Sequence, residues 1–285
     1  MILTSGRLEV EVAPAGTRYR GARFDWTAFV VQVVLDGRHR FCTSESLTSG
    51  VGSGGIGLCN EFGLDQPLGF DQAAPGEQFP KLGVGLLTRP DRAGADLMRA
   101  YPIAPFAISE QVNGARVRWT VEPACCRGYA ARLHKTLELD DDTLRIGYRL
   151  DNCGEEAIRT TEYNHNFINI DGNAIGPEYQ LTTSAQVAMA AGAHDVLGRP
   201  DGFSWPQGVG SFYARLQVPA QEQGFSWTLT HQPSRTSVSE RLDRQPLVLA
   251  LWGLPHVVSP ELFIAIDCPA GESREWQREY RFSCR

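Results

Sequence analysis

Residues 160–172 read Thr160-Thr-Glu-Tyr-Asn-His-Asn-Phe-Ile-Asn-Ile-Asp-Gly172 (TTEYNHNFINIDG), and the reading of this stretch decides the fold. Tyr163, Phe167, Ile168 and Ile170 are the anchors of a buried strand. Successive side chains of a strand point to opposite faces. Tyr163, His165, Phe167 and Asn169 therefore share one side, and Glu162, Asn164 and Asn166 share the other. Burying a polar group costs free energy unless it is paired. So many polar groups in an apolar strand point either to a hydrogen-bonded network or to a site.

Upstream, Tyr129–Leu139 places Leu133, Leu137 and Leu139 on one side, turns at Asp140–Asp142, and returns as Thr143–Leu150 with Leu144, Ile146, Tyr148 and Leu150 inward. Asn113-Gly114 between two alternating runs is the strongest short hairpin signal in the chain. Ile2–Val12 reads as one half-buried strand. Phe24–Leu35, rich in β-branched and aromatic residues, reads as another, closed by the Asp36-Gly37 turn. His39 then follows as a solvated residue flanking that turn, and His134 falls on the polar face of its strand. Tyr101–Ala107, with two prolines, reads as an irregular crossing or an edge strand.

Downstream, strands are expected at Glu178–Thr183, Ser211–Val218, Phe225–His231, Thr236–Leu242, Leu247–Leu251, Leu262–Ile266 and Glu275–Ser283. Ala185–Val196 is undecided between a short helix and a loop. No long amphipathic helix interrupts the series. The expected fold is all-β, a large antiparallel β-sandwich. No linker or shift of composition marks a boundary, so residues 1–285 are expected to form a single domain.

The formal net charge is -6 and no basic cluster stands out, which argues against nucleic acid and against an anionic membrane surface as partners. No apolar run approaches the ~18 residues of a membrane span. The N-terminal MILTSGRLEVEV lacks the basic and apolar regions of a secretory leader. The seven cysteines are irregularly spaced, with no CxxC pair and with Cys125 adjacent to Cys126. They read as free thiols in a reducing cytoplasm rather than as a zinc cluster.

No nucleophile elbow, zinc-protease helix or phosphate loop is present. The glycine-rich Thr48–Gly57 (TSGVGSGGIG) lacks the Lys-Ser/Thr of a phosphate loop and reads as a surface loop near a cleft. Any catalysis must come from residues on sheet faces and loops. The candidates are His165, Glu162, Glu61, Lys81, Glu261, Asp267 and Arg89, with Trp252 as an apolar platform or a core residue. Taken alone, Glu61 and Lys81 read as surface charges and His165 as a hydrogen-bonded core histidine. A metal held by Glu61, Glu162 and His165 is an alternative arrangement.

The run Asn164-His-Asn-Phe-Ile-Asn-Ile-Asp-Gly172 resembles the NHxYFNLxG signature of the aldose 1-epimerases (galactose mutarotases). The hairpin Lys135–Asn152 before it and Ile175-Gly-Pro-Glu-Tyr179 after it resemble that family too, and Trp252–Phe282, with the Pro269–Glu272 turn before the last strand, resembles the closing strands of the related hexose-phosphate mutarotases. The likeness is good over Tyr129–Gly172, fair over Leu247–Phe282 and poor over the first hundred residues.

The resemblance implies a galactose mutarotase-like supersandwich with a small sugar on the concave face of one sheet and no cofactor. It implies a histidine that acts as general acid at the ring oxygen and a carboxylate near the C-terminus that acts as general base at the anomeric hydroxyl. By position His165 takes the acid role. The base falls at Asp267, where the family has glutamate, with Glu162, Glu61 and Glu261 as alternatives. Glu61, Lys81, Arg89, Asn164 and Trp252 are the expected sugar contacts. The family's N-terminal arginine segment and its second histidine are missing. A non-catalytic carbohydrate-binding protein, or a lyase or hydrolase on the same scaffold, therefore stands beside the epimerase.

Overall fold

The computed structural model describes residues 1–189, 194–221 and 224–285. Among them the chain forms strands and no helix, so none is long and apolar enough to cross a membrane. Two ten-stranded antiparallel sheets make the sandwich. The first runs in the order Ile2–Ser5, Leu8–Ala13, Phe29–Leu35, Leu58–Phe62, Ile158–Asn166, Val257–Cys268, Val248–Leu254, Phe212–Gln217, Ala188–Met189, with His39–Arg40 beside Phe29–Leu35. The second has Thr143–Asn152 and Ser273–Cys284 at its centre, flanked by Ala131–Asp140 and Thr236–Leu242. Inward residues of both sheets, among them Val33, Ile158 and Ile264 from one and Leu137, Ile146 and Phe282 from the other, form one continuous core.

The focal strand Ile158–Asn166 lies in the middle of the first sheet, between Leu58–Phe62 and Val257–Cys268. Its outer face is not left to solvent. Residues 14–28 and a small sheet of Gln78–Lys81, Gly85–Thr88 and Ile103–Pro105 lie over it. They pack a second apolar cluster containing Tyr19, Phe24, Trp26, Phe79 and Tyr101 onto Cys59 and Phe167. The neighbouring strand records where this cover ends. Val257–Ile264 is buried at every position, whereas Ala265 and Asp267 are exposed.

The inner face of the focal strand carries charge into the sandwich. Arg278, fully buried, binds Glu162 at 2.7 Å and Glu240 at 2.5 Å. Asn60 donates to Glu162 at 2.5 Å, Asn164 donates to the Tyr280 hydroxyl, and Tyr280 in turn donates to Asn166. Burial works against the guanidinium charge, but the two carboxylates outweigh it and hold Arg278 protonated far beyond its ordinary range. Here polar residues at alternate positions satisfy one another in the core, as buried polar groups must.

Several expectations change. Ile2–Val12 is two strands, because Gly6 takes a left-handed φ of 50° and turns the chain. Phe24–Leu35 is a strand only from Phe29. Ala28 has φ 51°, and Asp25 accepts the Thr27 N–H, which folds residues 24–28 across the sheet. Of Ala185–Val196, Ala188–Met189 is a short strand, while Ala190, Ala191 and Gly192 lie outside the described residues. His39 is buried against Asp171 rather than solvated. The Asp36-Gly37 and Asn113-Gly114 hairpins form as expected, and all seven cysteines are unpaired.

Candidate active site

Regular pairing in the centre of the first sheet aligns the outward residues of three strands. Glu61 pairs with Tyr163 and Cys59 with His165 on one side, and Glu261 stands beside His165 on the other. The imidazole lies flat on Phe167, with ring centroids 4.0 Å apart, and meets the edge of Trp252 at 5.0 Å. Phe263 stacks on Tyr163 at 4.1 Å. Aromatic packing therefore fixes His165 on both sides, while its polar edge faces a carboxyl group. His165 Nε2 is 3.2 Å from Glu261 Oε1. The two are close but not aligned, and His165 Nδ1 and Glu261 Oε1 have no hydrogen-bond partner.

Both groups are only 3% exposed, and burial decides their charge. It pushes Glu261 up to about 8, against the pull of the Ser259 hydroxyl and Arg23. It also takes His165 well below its usual value, with Arg23 adding to the effect. At neutral pH the pair thus consists of a carboxylic acid and a neutral imidazole.

Glu61 is held differently. Arg23 Nε donates to its Oε2 at 2.8 Å, the Tyr163 hydroxyl donates to the same oxygen at 2.5 Å, and Lys81 Nζ is 3.9 Å from its Oε1. Arg23 also donates to the Tyr163 oxygen at 2.9 Å. Burial, then Glu61, raises Tyr163 well above the ordinary phenol range, so it remains a donor. Lys81 donates to the Phe62 carbonyl, and its burial lowers it to about 8. Arg23 comes from residues 14–28 that cross the sheet, and its side chain is 11% exposed, so it caps the group from the solvent side.

The structure thus brings together His165, Glu61, Lys81 and Trp252, together with Glu261, one of the alternative bases. Glu61 and Lys81 are buried, not surface charges. Four expected site residues lie elsewhere. Asp267 is 63% exposed and faces Arg159 at 3.4 Å. It shares a strand face with Glu261 but lies six residues further on, roughly 20 Å away, so it does not reach His165. Glu162 and Asn164 point into the sandwich, away from His165. Arg89 spends its guanidinium on the carbonyls of Phe70, Ala73, Asp91 and Ala93.

Because Glu162 and His165 face opposite ways, they do not converge with Glu61 on a metal. Among the described residues no group of three or more His, Cys, Asp or Glu is arranged to hold one. The residue the sequence reading missed is Arg23. It has no motif around it, and its partner is 38 positions away.

No sequence model of a known family matches the chain, and neither does any curated protein. Solved structures do match. A galactose mutarotase-like protein from Clostridium acetobutylicum shares the fold at a TM-score of 0.63 and 10% identity, over 100% of this chain and 95% of that one. A galactose mutarotase related enzyme from Lactobacillus acidophilus does so at 0.61 and 8%, over 99% and 97%. An aldose epimerase homologue from C. elegans does so at 0.60 and 11%, over 100% and 98%. The chain has the galactose mutarotase-like fold, an all-β antiparallel supersandwich, along its whole length. At these identities the likeness is one of architecture, and the chemistry rests on the residues described above.

Proposed function

We propose that this protein interconverts the anomers of a sugar or sugar derivative by acid/base ring opening at His165 and Glu261, without a cofactor. The observation that carries the reading is the pair itself. Two buried groups, a carboxylic acid and a neutral imidazole, touch on the outer face of the sheet, and each has an unpartnered polar atom. Such orphans are uncommon in native proteins and cost about 1–3 kcal/mol each. A polyol brings both donors and acceptors to satisfy them.

Ring opening of a cyclic hemiacetal needs a proton delivered to the ring oxygen and one taken from the anomeric hydroxyl. Both oxygens hang from one carbon, so a donor and an acceptor in contact with each other can address both. With Glu261 protonated and His165 neutral, Glu261 delivers and His165 receives. This reverses the assignment implied by the family resemblance. Glu61, held by Arg23 and Tyr163, supplies hydrogen-bond acceptance to sugar hydroxyls, and Trp252 supplies a stacking edge at the rim. The site draws on Arg23 near one end of the chain and Glu261 near the other, so we read residues 1–285 as a single unit.

The test is anomer exchange by NMR across a panel of aldoses, for the wild type, His165→Ala and Glu261→Gln. Each substitution is expected to slow exchange by about 10²- to 10⁴-fold on the accepted sugar. Equal rates for all three proteins across the panel would end the proposal. A second reading, sugar binding without catalysis, is favoured by one observation: the pair is closed over, with both groups nearly inaccessible. Saturable sugar binding in all three proteins with no exchange in any of them would select it.

A further inference from the structure

We propose that a second site, built around His39 and Asp171, binds the oxyanion of a small metabolite, a phosphate or a carboxylate. Its place is a cavity of about 670 Å³ lined by Arg38, His39, Arg40, Asn169, Asp171 and His256, among others. That volume is in the range of small-molecule sites, and neither His165, Glu261 nor Glu61 lines it.

The cavity is built rather than incidental. His39 is only 6% exposed, and its Nδ1 lies 2.7 Å from Asp171 Oδ2. The other Asp171 oxygen accepts the Arg40 backbone N–H at 2.8 Å. To reach both, Asp171 takes a left-handed φ of 56°, a conformation with a cost that aspartate bears better than most residues and that recurs at functional sites. The carboxylate locks the ring and its tautomer, while Nε2 makes no hydrogen bond to the described residues.

A mere tether between two turns needs His39 and Asp171, but it does not need two arginines. Arg38 and Arg40 line the same cavity, and among the described residues neither side chain makes a hydrogen bond or an ion pair. Asp171 is the one acidic residue in the lining. Two arginines therefore line the cavity with one acidic residue, and that carboxylate is already engaged by His39 and a backbone N–H. The surplus is positive, and guanidinium N–H groups are the donors that bind phosphate and carboxylate oxygens best; the His39 ring, its Nδ1–H turned to Asp171, stands beside them as the reporter of the bound anion.

The experiment follows the ¹⁵N-labelled His39 ring by NMR at constant ionic strength while inorganic phosphate or succinate is added, with chloride as the balancing salt. A saturable shift is expected, and the anion that produces it names the head group. Arg38→Ser/Arg40→Ser, which alters only exposed side chains, is expected to weaken that binding at least about tenfold and to leave anomer exchange at His165 unchanged. Asp171→Asn is expected to broaden or lose the shift because the ring is no longer held. Non-saturating shifts with both anions, or equal affinity in the double arginine variant, would reduce His39 and Asp171 to a structural tether and overturn the proposal.

Discussion

Glu261→Gln is expected to make the protein more stable and less active at once. Burial, offset only in part by Ser259 and Arg23, raises the Glu261 carboxyl from an ordinary 4.5 to about 8. Between these values the unfolded chain has lost the proton and the folded chain keeps it. The folded state therefore binds more protons, and stability falls as pH rises. Each tenfold change in proton affinity corresponds to about 1.36 kcal/mol. The penalty is absent below about pH 4.5, about 3 kcal/mol at pH 7, and at most about 5 kcal/mol from pH 8 upward.

Glutamine has nearly the same shape and does not titrate, so it escapes the penalty. The low value of His165 acts in the opposite sense, removing stability as pH falls below the ordinary histidine range, but it is present in both proteins and largely cancels in the difference. Urea unfolding at pH 5, 6, 7 and 8 should show the advantage of Glu261→Gln growing by about 1 kcal/mol for each step of one in pH. A difference that stays flat with pH would mean that Glu261 is ionised in the fold, and the assignment of its proton would fall with it. If the slope appears and anomer exchange is lost in the same variant, Glu261 is a group kept for function at a cost to stability.

Three further outcomes follow from the same geometry. The exchange rate should fall above about pH 8 as Glu261 loses its proton, and fall on the acid side as His165 gains one; a rate rising through pH 9 would exclude Glu261 as the donor. Arg278→Met should cost about 3–5 kcal/mol in denaturant unfolding, because it leaves Glu162 and Glu240 buried without their cation; a loss under 1 kcal/mol would show that water reaches that interior. A thiol reagent at pH 8 should modify the exposed Cys125 and Cys153 first, with Cys42, Cys59 and Cys268 labelled only on unfolding, as mass spectrometry of the intact protein can count.

What was legible in the sequence is what depends on neighbours along the chain. The two faces of Thr160–Asn166 follow from strand alternation, which stops there, so that Asn169 turns to the His256 carbonyl instead of joining His165, and the hairpins at Asp36-Gly37 and Asn113-Gly114 follow from the turn residues themselves. What was not legible depends on pairing between distant strands. Glu261 and Asp267 both lie on the outer face of one twelve-residue strand, and composition does not say which end passes His165. Only the register of Val257–Cys268 against Ile158–Asn166 chooses Glu261. The cover over the outer face comes from residues 14–28 and the small sheet, which carry no motif. Glu61 and Lys81 therefore read as solvated when they are buried, and His39 does so because its partner Asp171 is 132 positions away.

That cover also explains why the two outward carboxyl groups differ. Glu61 belongs to a run of opposite charges that passes through the sheet. Arg23 pairs with Glu61 and Glu61 with Lys81; Asp25 pairs with Lys135 at 2.7 Å, and Arg278 pairs with Glu162 and Glu240. Four cations face four carboxylates, and removing Arg278 or Lys135 strands buried carboxylates. Glu261 stands outside this run. Its nearest titratable neighbour is His165, which burial keeps neutral, and Arg23 is already committed to Glu61. A carboxyl group in that position retains its proton, while one caged by a guanidinium, a phenol and an ammonium serves as an acceptor. Two acids on the strands that flank Ile158–Asn166 are thereby held in different surroundings on one sheet face, and under the proposed function that difference gives them different tasks.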